Sequence, residues 1–268
     1  MSAPPRAFVL PPRPRGRGRR IAALAAVVAI TVVTMLPGIG VDFDIAAIAR
    51  NWRNAADKVA LLLVPDWSIL PRTVAPLLET LQMAVIATAI GATVSLPLVF
   101  LAARTTNPHP WLRGAVRAAL NVVRAVPDLL YAAVLVAMVG VGALPGIIAL
   151  VLFNVGIIVK LVSEAVEANP TGPLEAGTAV GGWRAQIIRT MALPDAWPAF
   201  LNQTLYTLEL NVRASSVLGL VGAGGMGLLI DAVRTFYRYD QLSLIILEIL
   251  LIVLLLEGAS ALARKRLV

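Results

Sequence analysis

The charged residues inside apolar segments of this chain are the ones whose types and spacing bear on chemistry. Glu209 and Arg213 lie four residues apart in a long apolar stretch. A lone charge at the centre of a bilayer costs at least about 2.5–3.5 kcal/mol on insertion scales. The spacing therefore predicts a salt bridge on one face of a membrane helix. The alternative is functional: Arg213, with Asn211 and Ser215 beside it, lines a translocation path and attracts an anionic substrate.

Three other charged residues occupy comparable positions, namely Glu79, Arg124 and Asp128. Arg124 and Asp128 flank a proline, and their spacing predicts that an acid and a base pin the end of a kinked helix. Lys160 and Glu164 have the same spacing in another apolar segment. Carboxylates within a membrane also serve as proton relays, so a proton-coupled secondary transporter is kept as an alternative.

A glycine-rich run follows the apolar stretch that holds Arg213. Gly222, Gly224 and Gly227 fit G-x-G-x-x-G, with Gly225 between them. That dinucleotide fingerprint has meaning only between a strand and a helix, so no cofactor is predicted. Two structural interpretations remain. Small residues let helix backbones pack closely, or the helix breaks and exposes backbone N–H groups to an anion near mid-membrane.

The composition excludes a soluble enzyme. Of the 268 residues, 59% are hydrophobic and 14% are charged, whereas a soluble domain carries about 25% charged residues. The chain has no cysteine and a single histidine, His109, so no metal site is predicted. It has no Ser-His-Asp arrangement and no phosphate-binding G-x-x-x-x-G-K, so it is not expected to be an enzyme or to hydrolyse ATP itself. The net charge of +8 lies mostly at the ends of apolar segments, without interleaved aromatics, which argues against nucleic acid as a partner.

The apolar segments predict an all-α polytopic membrane protein with six transmembrane helices, because about 20 apolar residues cross a bilayer. The expected order is a disordered basic tail, a first transmembrane helix, an amphipathic outer segment on the lipid surface, a transmembrane core with one long cytoplasmic loop, and a cytoplasmic end. These parts occupy residues 1–20, 21–40, 41–73, 74–262 with the loop at 167–197, and 263–268. The five core spans are expected at residues 74–102, 119–141, 145–166, 198–221 and 241–262. Trp52 and Trp67 are expected at headgroup level.

The distribution of basic residues predicts the orientation. Fourteen Lys and Arg residues fall in the tail, the loops 103–118 and 167–197 and the C-terminal end, against six in the segments on the other side. Cytoplasmic loops carry the excess of Lys and Arg, so both termini and the loop 167–197 are expected in the cytoplasm.

That long loop contains the most informative motif of the chain. Residues 175–194 follow the pattern E-A-small-x3-G-x9-apolar-x-L-P. The pattern resembles the cytoplasmic coupling loop of ABC-importer permeases, which docks into a groove on the ATPase subunit. The residues that carry the likeness are Glu175, Ala176, Gly177, Gly181, Met191, Leu193 and Pro194. Gly177 and Met191 depart from the family, which usually has alanine and isoleucine at these positions.

Further segments resemble one branch of that family, the phosphonate-type permeases. These segments are Glu79–Ala84, Leu96–Arg104, Arg124–Asp128, Glu209–Arg213 and Val217–Gly227. The likeness runs from about residue 74 to the C-terminus and implies the type I ABC-importer permease fold in a bacterial inner membrane.

The resemblance also implies partners and a substrate. The expected assembly is a homodimer with two cytoplasmic ATPase subunits, supplied by an extracytoplasmic binding protein with phosphonate, phosphite or phosphate. ATP binding would move the coupling loops together and open the path outward, as alternating access requires. The alternatives are a permease for another solute, such as a methionine-type permease, a proton-coupled secondary transporter, and a membrane scaffold without a path.

Overall fold

The computed structural model describes residues 17–35 and 44–267, and these residues form helices and no strand. The helices are α1 Arg17–Met35, α2 Ile45–Arg50, α3 Trp52–Leu62, α4 Leu70–Ala102, α5 Pro110–Ala125, α6 Asp128–Val139, α7 Ala143–Ala168, α8 Gly172–Ala179, α9 Arg184–Ile187, α10 Leu193–Leu218, α11 Met226–Thr235 and α12 Tyr239–Leu267. Two 3-10 turns, Trp67–Ile69 and Gly219–Val221, and a π-helical turn, Ile188–Ala192, complete the secondary structure. The chain divides after Asp57 into two units, which are described separately.

The first unit contains α1 and α2. The predicted disordered tail, residues 1–20, lies outside the described residues as far as residue 16. Residues 17–20 are helical, so disorder was a wrong prediction for them, because the helix extends into the arginines that precede the apolar run. The first predicted span, 21–40, is helical up to Met35, and its last five residues lie outside the described part.

The outer segment is helical but contains two helices rather than one. Residues 41–43 lie outside the described part of the chain. The chain breaks at Asn51, where the side-chain amide donates to Ala47 O at 2.9 Å and ends α2. Trp52 and Trp67 have exposed fractions of 66% and 60%. Their location at headgroup level stays a prediction.

The second unit is built around α4, which packs against α5, α7, α10, α11 and α12. Small buried residues line the contact with α7: Ala87 and Gly91 on α4, and Ala149 on α7. A Cβ on Gly91 would lie 2.6 Å from the Cβ of Asn154, whose amide donates to Ala87 O at 3.0 Å. Lipid tails are as apolar as leucine, so close packing and such hydrogen bonds hold membrane helices together.

The N-terminal ends of α4 and α12 lie side by side. Asp66 N donates to Asp240 O at 3.2 Å, and Thr73 Oγ1 donates to Glu248 Oε1 at 2.6 Å. Asp66 precedes α4, and hydrogen bonds from the side chain and the backbone N–H of Ser68 hold the pKa of its carboxyl below the ordinary value. These contacts fix the position of α12 along α4.

The third predicted span, residues 119–141, is not one helix. It divides into α5 and α6, whose axes meet at 82°. Val126 is extended (φ −92°, ψ 126°) because the ring of Pro127 disfavours a helical residue before it. The predicted span is thus not one continuous helix, and its crossing of the membrane as a bent pair stays a prediction.

The other predicted core spans correspond to α4, α7, α10 and α12. Within residues 17–35 and 44–267, three helices are long and apolar enough to cross a membrane, or five spans if each of two bent helix pairs counts as one. The apolar part of α1, Arg20–Thr34, is shorter. The all-α membrane fold is confirmed, and the number of six spans is not.

Candidate coupling segment and translocation path

The residues between α7 and α10 fold into a small helical hairpin, which we call the coupling segment (residues 172–192). It consists of α8, a turn, α9 and the π-helical turn. At its base, Asn169 Nδ2 donates to Asp195 Oδ2 at 2.6 Å and joins the end of α7 to the start of α10. Pro194 lies in the first turn of α10, where its missing N–H costs nothing. A displacement of the hairpin must therefore move two spans of the core.

The two departures from the family pattern touch each other. Gly177 is buried, and a Cβ built on it would lie 2.7 Å from Met191 Sδ and 3.1 Å from Ile187 Cγ1. Alanine in place of Gly177 would therefore collide with the methionine. The longer thioether side chain of Met191 fills the space that a Cβ at residue 177 would need. Gly177 and Met191 are a matched pair that closes α8 onto the π-helical turn.

The turn of the hairpin depends on Gly181, whose φ of +80° is in the left-handed region. Its N–H donates to Thr178 O at 3.0 Å, and Gly182 N donates to Gly177 O at 3.0 Å. At the start of α8, Thr171 Oγ1 donates to Glu175 Oε1 at 2.6 Å and holds that exposed carboxylate. The predicted loop residues Glu175, Ala176, Gly177, Gly181 and Met191 thus lie together in one hairpin, and Leu193 and Pro194 begin the helix that follows it.

Two residues at the tip were not predicted as site residues. Val180 and Trp183 have exposed fractions of 83% and 80%, beside exposed Ala176. Exposed aromatic and aliphatic side chains on a polar loop are typical of a binding surface. Their signal in the sequence is the tryptophan itself, which occurs in an otherwise small and polar turn.

The predicted salt bridge between Glu209 and Arg213 does not form. Glu209 pairs with Arg264, and Arg213 pairs with Glu257. Because α10 and α12 run in opposite directions, two ion pairs cross from one helix to the other. Glu209 is largely buried, with 11% of its side chain exposed, so its charge needs a close partner of opposite sign. Arg264 of α12 is that partner in place of Arg213. We call these two pairs the α10–α12 ladder.

Asn211 and Ser215 lie on a different face of α10 from Arg213. Both are fully buried, and Asn211 Nδ2 donates to Thr88 Oγ1 of α4 at 2.8 Å. Ser215 Oγ donates to Val212 O at 3.0 Å within its own helix. Arg213, by contrast, is about half exposed. The three residues therefore do not line a common surface of this chain, and their role in a path stays a prediction.

The glycine-rich run both breaks a helix and packs closely, so each interpretation of it describes part of the structure. The axis bends by 48° between the helical stretch ending at Val221 and α11. Gly224 (φ +86°) lies so near α4 and α7 that a Cβ would be 2.9 Å from Glu79 Oε1 and 2.9 Å from Ala143 N. Next to it, Met226 N donates to Thr80 Oγ1 at 2.8 Å. Gly222 and Gly225 also have positive φ, and Gly227 packs against the backbone of Gly219.

The corner between α5 and α6 holds Arg124 and Asp128, and the predicted ion pair between them is absent from the described residues. Arg124 Nη2 donates to Asn121 Oδ1 at 3.1 Å, whereas Asp128 Oδ1 accepts from Leu129 N at 2.9 Å. The 82° bend points the two side chains to different partners. Lys160 and Glu164, on the continuous helix α7, do form their predicted pair.

Residues 95–267, which include the coupling segment and the α10–α12 ladder, match the model of the binding-protein-dependent transport system inner membrane component. The chain belongs to that family.

Relatives of this chain include proteins named as permeases for phosphorus compounds. The phosphite transport system permease protein PtxC of Stutzerimonas stutzeri is 38% identical over 221 residues, which cover 81% of this chain and 80% of PtxC. The phosphate-import permease protein PhnE of Mycolicibacterium smegmatis is 43% identical over 191 residues, which cover 71% of this chain and 36% of that longer protein. The expected likeness to phosphonate-type permeases is confirmed.

A solved structure has the same fold. A chain of the MetNI methionine ABC transporter in an inward-facing conformation matches with a TM-score of 0.65 and 27% identity, covering 75% of this chain and 97% of that chain. The type I ABC-importer permease fold expected from the sequence is thereby confirmed.

The charged partners of the permease core include residues that the sequence patterns did not single out as sites. Glu257 and Arg264 complete the ladder from α12. Glu167 accepts from Arg104 N at 2.7 Å and pairs with Arg117, joining the C-terminal ends of α4 and α7 to the middle of α5. These partners lie between 44 and 63 residues away along the chain, so no local spacing could indicate them.

Proposed function

We propose that this permease forms the translocation path of an ATP-driven importer for a phosphorus oxyanion, such as phosphite, phosphate or a phosphonate. The observation that carries the proposal is the likeness to PtxC over about four fifths of both chains. PtxC is named for phosphite transport, and PhnE for phosphate import.

The coupling segment is proposed to dock on a cytoplasmic ATPase subunit. Support comes from its exposed apolar tip, Val180 and Trp183, and from the exposed Glu175 at the start of α8. The hydrogen bond at its base would transmit movement to α7 and α10 together. The proposed assembly has two copies of this chain, two ATPase subunits and an extracytoplasmic binding protein, with both termini of the permease in the cytoplasm.

Copurification tests this assembly. The chain is tagged and isolated from its native membrane, the bound subunits are identified by mass spectrometry, and their ATPase response to phosphite, phosphate and phosphonate is measured with the loaded binding protein. We expect two ATPase subunits per two permeases and stimulation by at least one of these anions. A chain that purifies without an ATPase would contradict the proposal.

Substitutions that change the charge of the hairpin test the docking surface. Glu175→Lys or Gly181→Asp should leave membrane insertion intact and uncouple ATP hydrolysis from uptake, because each alters the presented face of α8 or its turn. Asp57→Lys, the same reversal on exposed α3, is the matched control. Normal coupling of ATP hydrolysis to uptake in the purified Glu175→Lys and Gly181→Asp complexes would contradict the proposed docking of the hairpin on the ATPase subunit.

A methionine-type substrate is the second candidate, favoured by the match to the methionine transporter chain. The same ATPase assay separates the two candidates. Stimulation by methionine with its binding protein, and none by any phosphorus oxyanion, would replace the first candidate by the second.

A further inference from the structure

Arg124 differs from the nearby cations Arg117 and Lys160 in having no carboxylate partner among the described residues. Its one hydrogen bond goes to the side-chain oxygen of Asn121, at 3.1 Å. Arg117 pairs with Glu167, and Lys160 pairs with Glu164. Because Arg104 also pairs with Glu167, four cations of this region face two carboxylates, and the region carries a net positive charge to which the unpaired Arg124 contributes.

The depth of Arg124 makes this charge costly. Its aliphatic stem crosses α7 at Gly156, where a Cβ would lie 2.7 Å from Arg124 Cγ. Gly156 is about midway along α7, roughly 20 Å from Ala143 and roughly 18 Å from Ala168 at 1.5 Å per residue. Arginine in the middle of a membrane span is rare and faces a protein interior or a water-filled cavity. A glycine at the crossing point provides the room that the side chain needs.

Two cavities meet at Arg124. The first, of about 160 Å³, is the more polar of the two and is also lined by Arg117, Asn121, Lys160 and Glu164. The second, of about 240 Å³, lies beyond the corner and is mostly apolar, with Phe153 in its wall. Asp128 borders only the second cavity, and the carboxylate of the first, that of Glu164, pairs with Lys160.

We propose that Arg124 binds the transported oxyanion at mid-membrane, with the phosphorus oxygens in the polar cavity. A guanidinium offers paired N–H donors that match two oxygens of a tetrahedral oxyanion, and its charge does not depend on pH. The apolar cavity accommodates the organic substituent of a phosphonate. This inference rests on the proposed function, because it assigns the substrate of the same path to one residue.

The absence of cysteine from the chain permits a direct test. Arg124→Cys is made in the full complex, and its reaction with a water-soluble cationic methanethiosulfonate is followed by mass analysis of this chain. Phosphite, phosphate and methylphosphonate are then titrated against sulfate at equal ionic strength. Arg213→Cys, on the ladder, is the matched control.

We expect Arg124→Cys to react, and phosphite at ten times the Kd of this variant, which loss of the guanidinium raises, to slow the reaction about tenfold, as occupancy of the site requires. Uptake should fall about 10- to 100-fold, the factor expected for a lost charged hydrogen-bond partner. Attachment of the cationic aminoethyl group should restore part of the uptake, and a neutral methylthio group should restore none. Arg124→Lys should assemble normally and retain more uptake than Arg124→Cys.

Two results would overturn the site while leaving the proposed function intact. In the first, wild-type complex takes up the oxyanion but the thiol does not react, which means that lipid or a second copy covers residue 124. In the second, the Arg124→Cys variant is saturated with phosphorus oxyanion, as its own Kd shows, and the thiol still reacts at an unchanged rate. If wild-type complex takes up no phosphorus oxyanion, the proposed function itself fails and the site fails with it.

Discussion

The α10–α12 ladder and the α5–α6 corner each place an arginine within the helical core, and they treat its charge in opposite ways. Arg213 in the ladder meets Glu257, and the neighbouring Glu209 meets Arg264. Arg124 in the corner meets only an amide oxygen. A cation whose charge is satisfied within the chain holds helices together, whereas an unpaired one remains available to an anion.

Sequence spacing alone does not distinguish these two regions. Glu209 and Arg213, like Arg124 and Asp128, are four residues apart, and neither set forms the local pair. In the ladder, Glu257 and Arg264 of α12 form the ion pairs in place of the local partners. In the corner, the bend at Pro127 ends the helical geometry that a four-residue spacing assumes. Substitutions in each region can therefore separate stability from transport.

The largest effect on stability is expected at Glu209. Glu209→Gln leaves Arg264, whose side chain is 32% exposed, without its charged partner and should lower the free energy of unfolding by about 1.5–3 kcal/mol. The apparent Tm and the yield of the detergent-solubilised complex measure this loss. The double variant with Arg264→Gln should recover most of the lost stability. A Glu209→Gln complex as stable as wild type would show that this ion pair does not stabilise the packing of α10 against α12.

The next largest effect is expected from the packing of Gly177 against Met191 in the coupling segment, which involves no charged residue. Gly177→Ala brings a Cβ to 2.7 Å from Met191 Sδ and should cost about 1–3 kcal/mol as overpacking does. Coupling of ATP hydrolysis to uptake should fall in parallel. Adding Met191→Ile, which restores the family pair, should return both quantities towards wild type. Additive losses in the double variant would exclude direct contact.

A smaller effect is expected from an added methyl group beside Arg124 at the α5–α6 corner. Gly156→Ala displaces the stem of Arg124 and should reduce uptake per assembled complex, with a stability cost of at most about 1–3 kcal/mol. Gly114→Ala, where no atom lies within 4 Å of the added Cβ, is the matched control. Unchanged uptake by Gly156→Ala would show that the position of Arg124 is not important for transport.

The smallest effect is expected at Arg213. Both members of the pair with Glu257 are nearly half exposed, so Arg213→Gln should change stability by at most about 1 kcal/mol. Uptake per assembled complex should stay within about twofold of wild type, as for substitutions outside the site. A tenfold loss of uptake with normal assembly would reverse the comparison and place Arg213, rather than Arg124, on the path.

The sequence predicted the long apolar helices and the coupling segment because both depend on local composition and spacing. Helices α4, α7, α10 and α12 follow apolar runs, and Gly181 and Pro194 occur where a turn and a helix start need them. The corner was missed as a break because one proline in an apolar run is compatible with a kinked span. The ladder was missed because its partners come from α12, and local periodicity carries no information about tertiary neighbours.

Reconstituted uptake tests the central claim most directly. The copurified complex is placed in proteoliposomes with ATP, and uptake of radiolabelled phosphite and phosphate is measured with and without the binding protein. The account predicts uptake that requires ATP and the loaded binding protein and that Glu175→Lys abolishes. Uptake by this chain alone, driven by a proton gradient and indifferent to ATP, would contradict it.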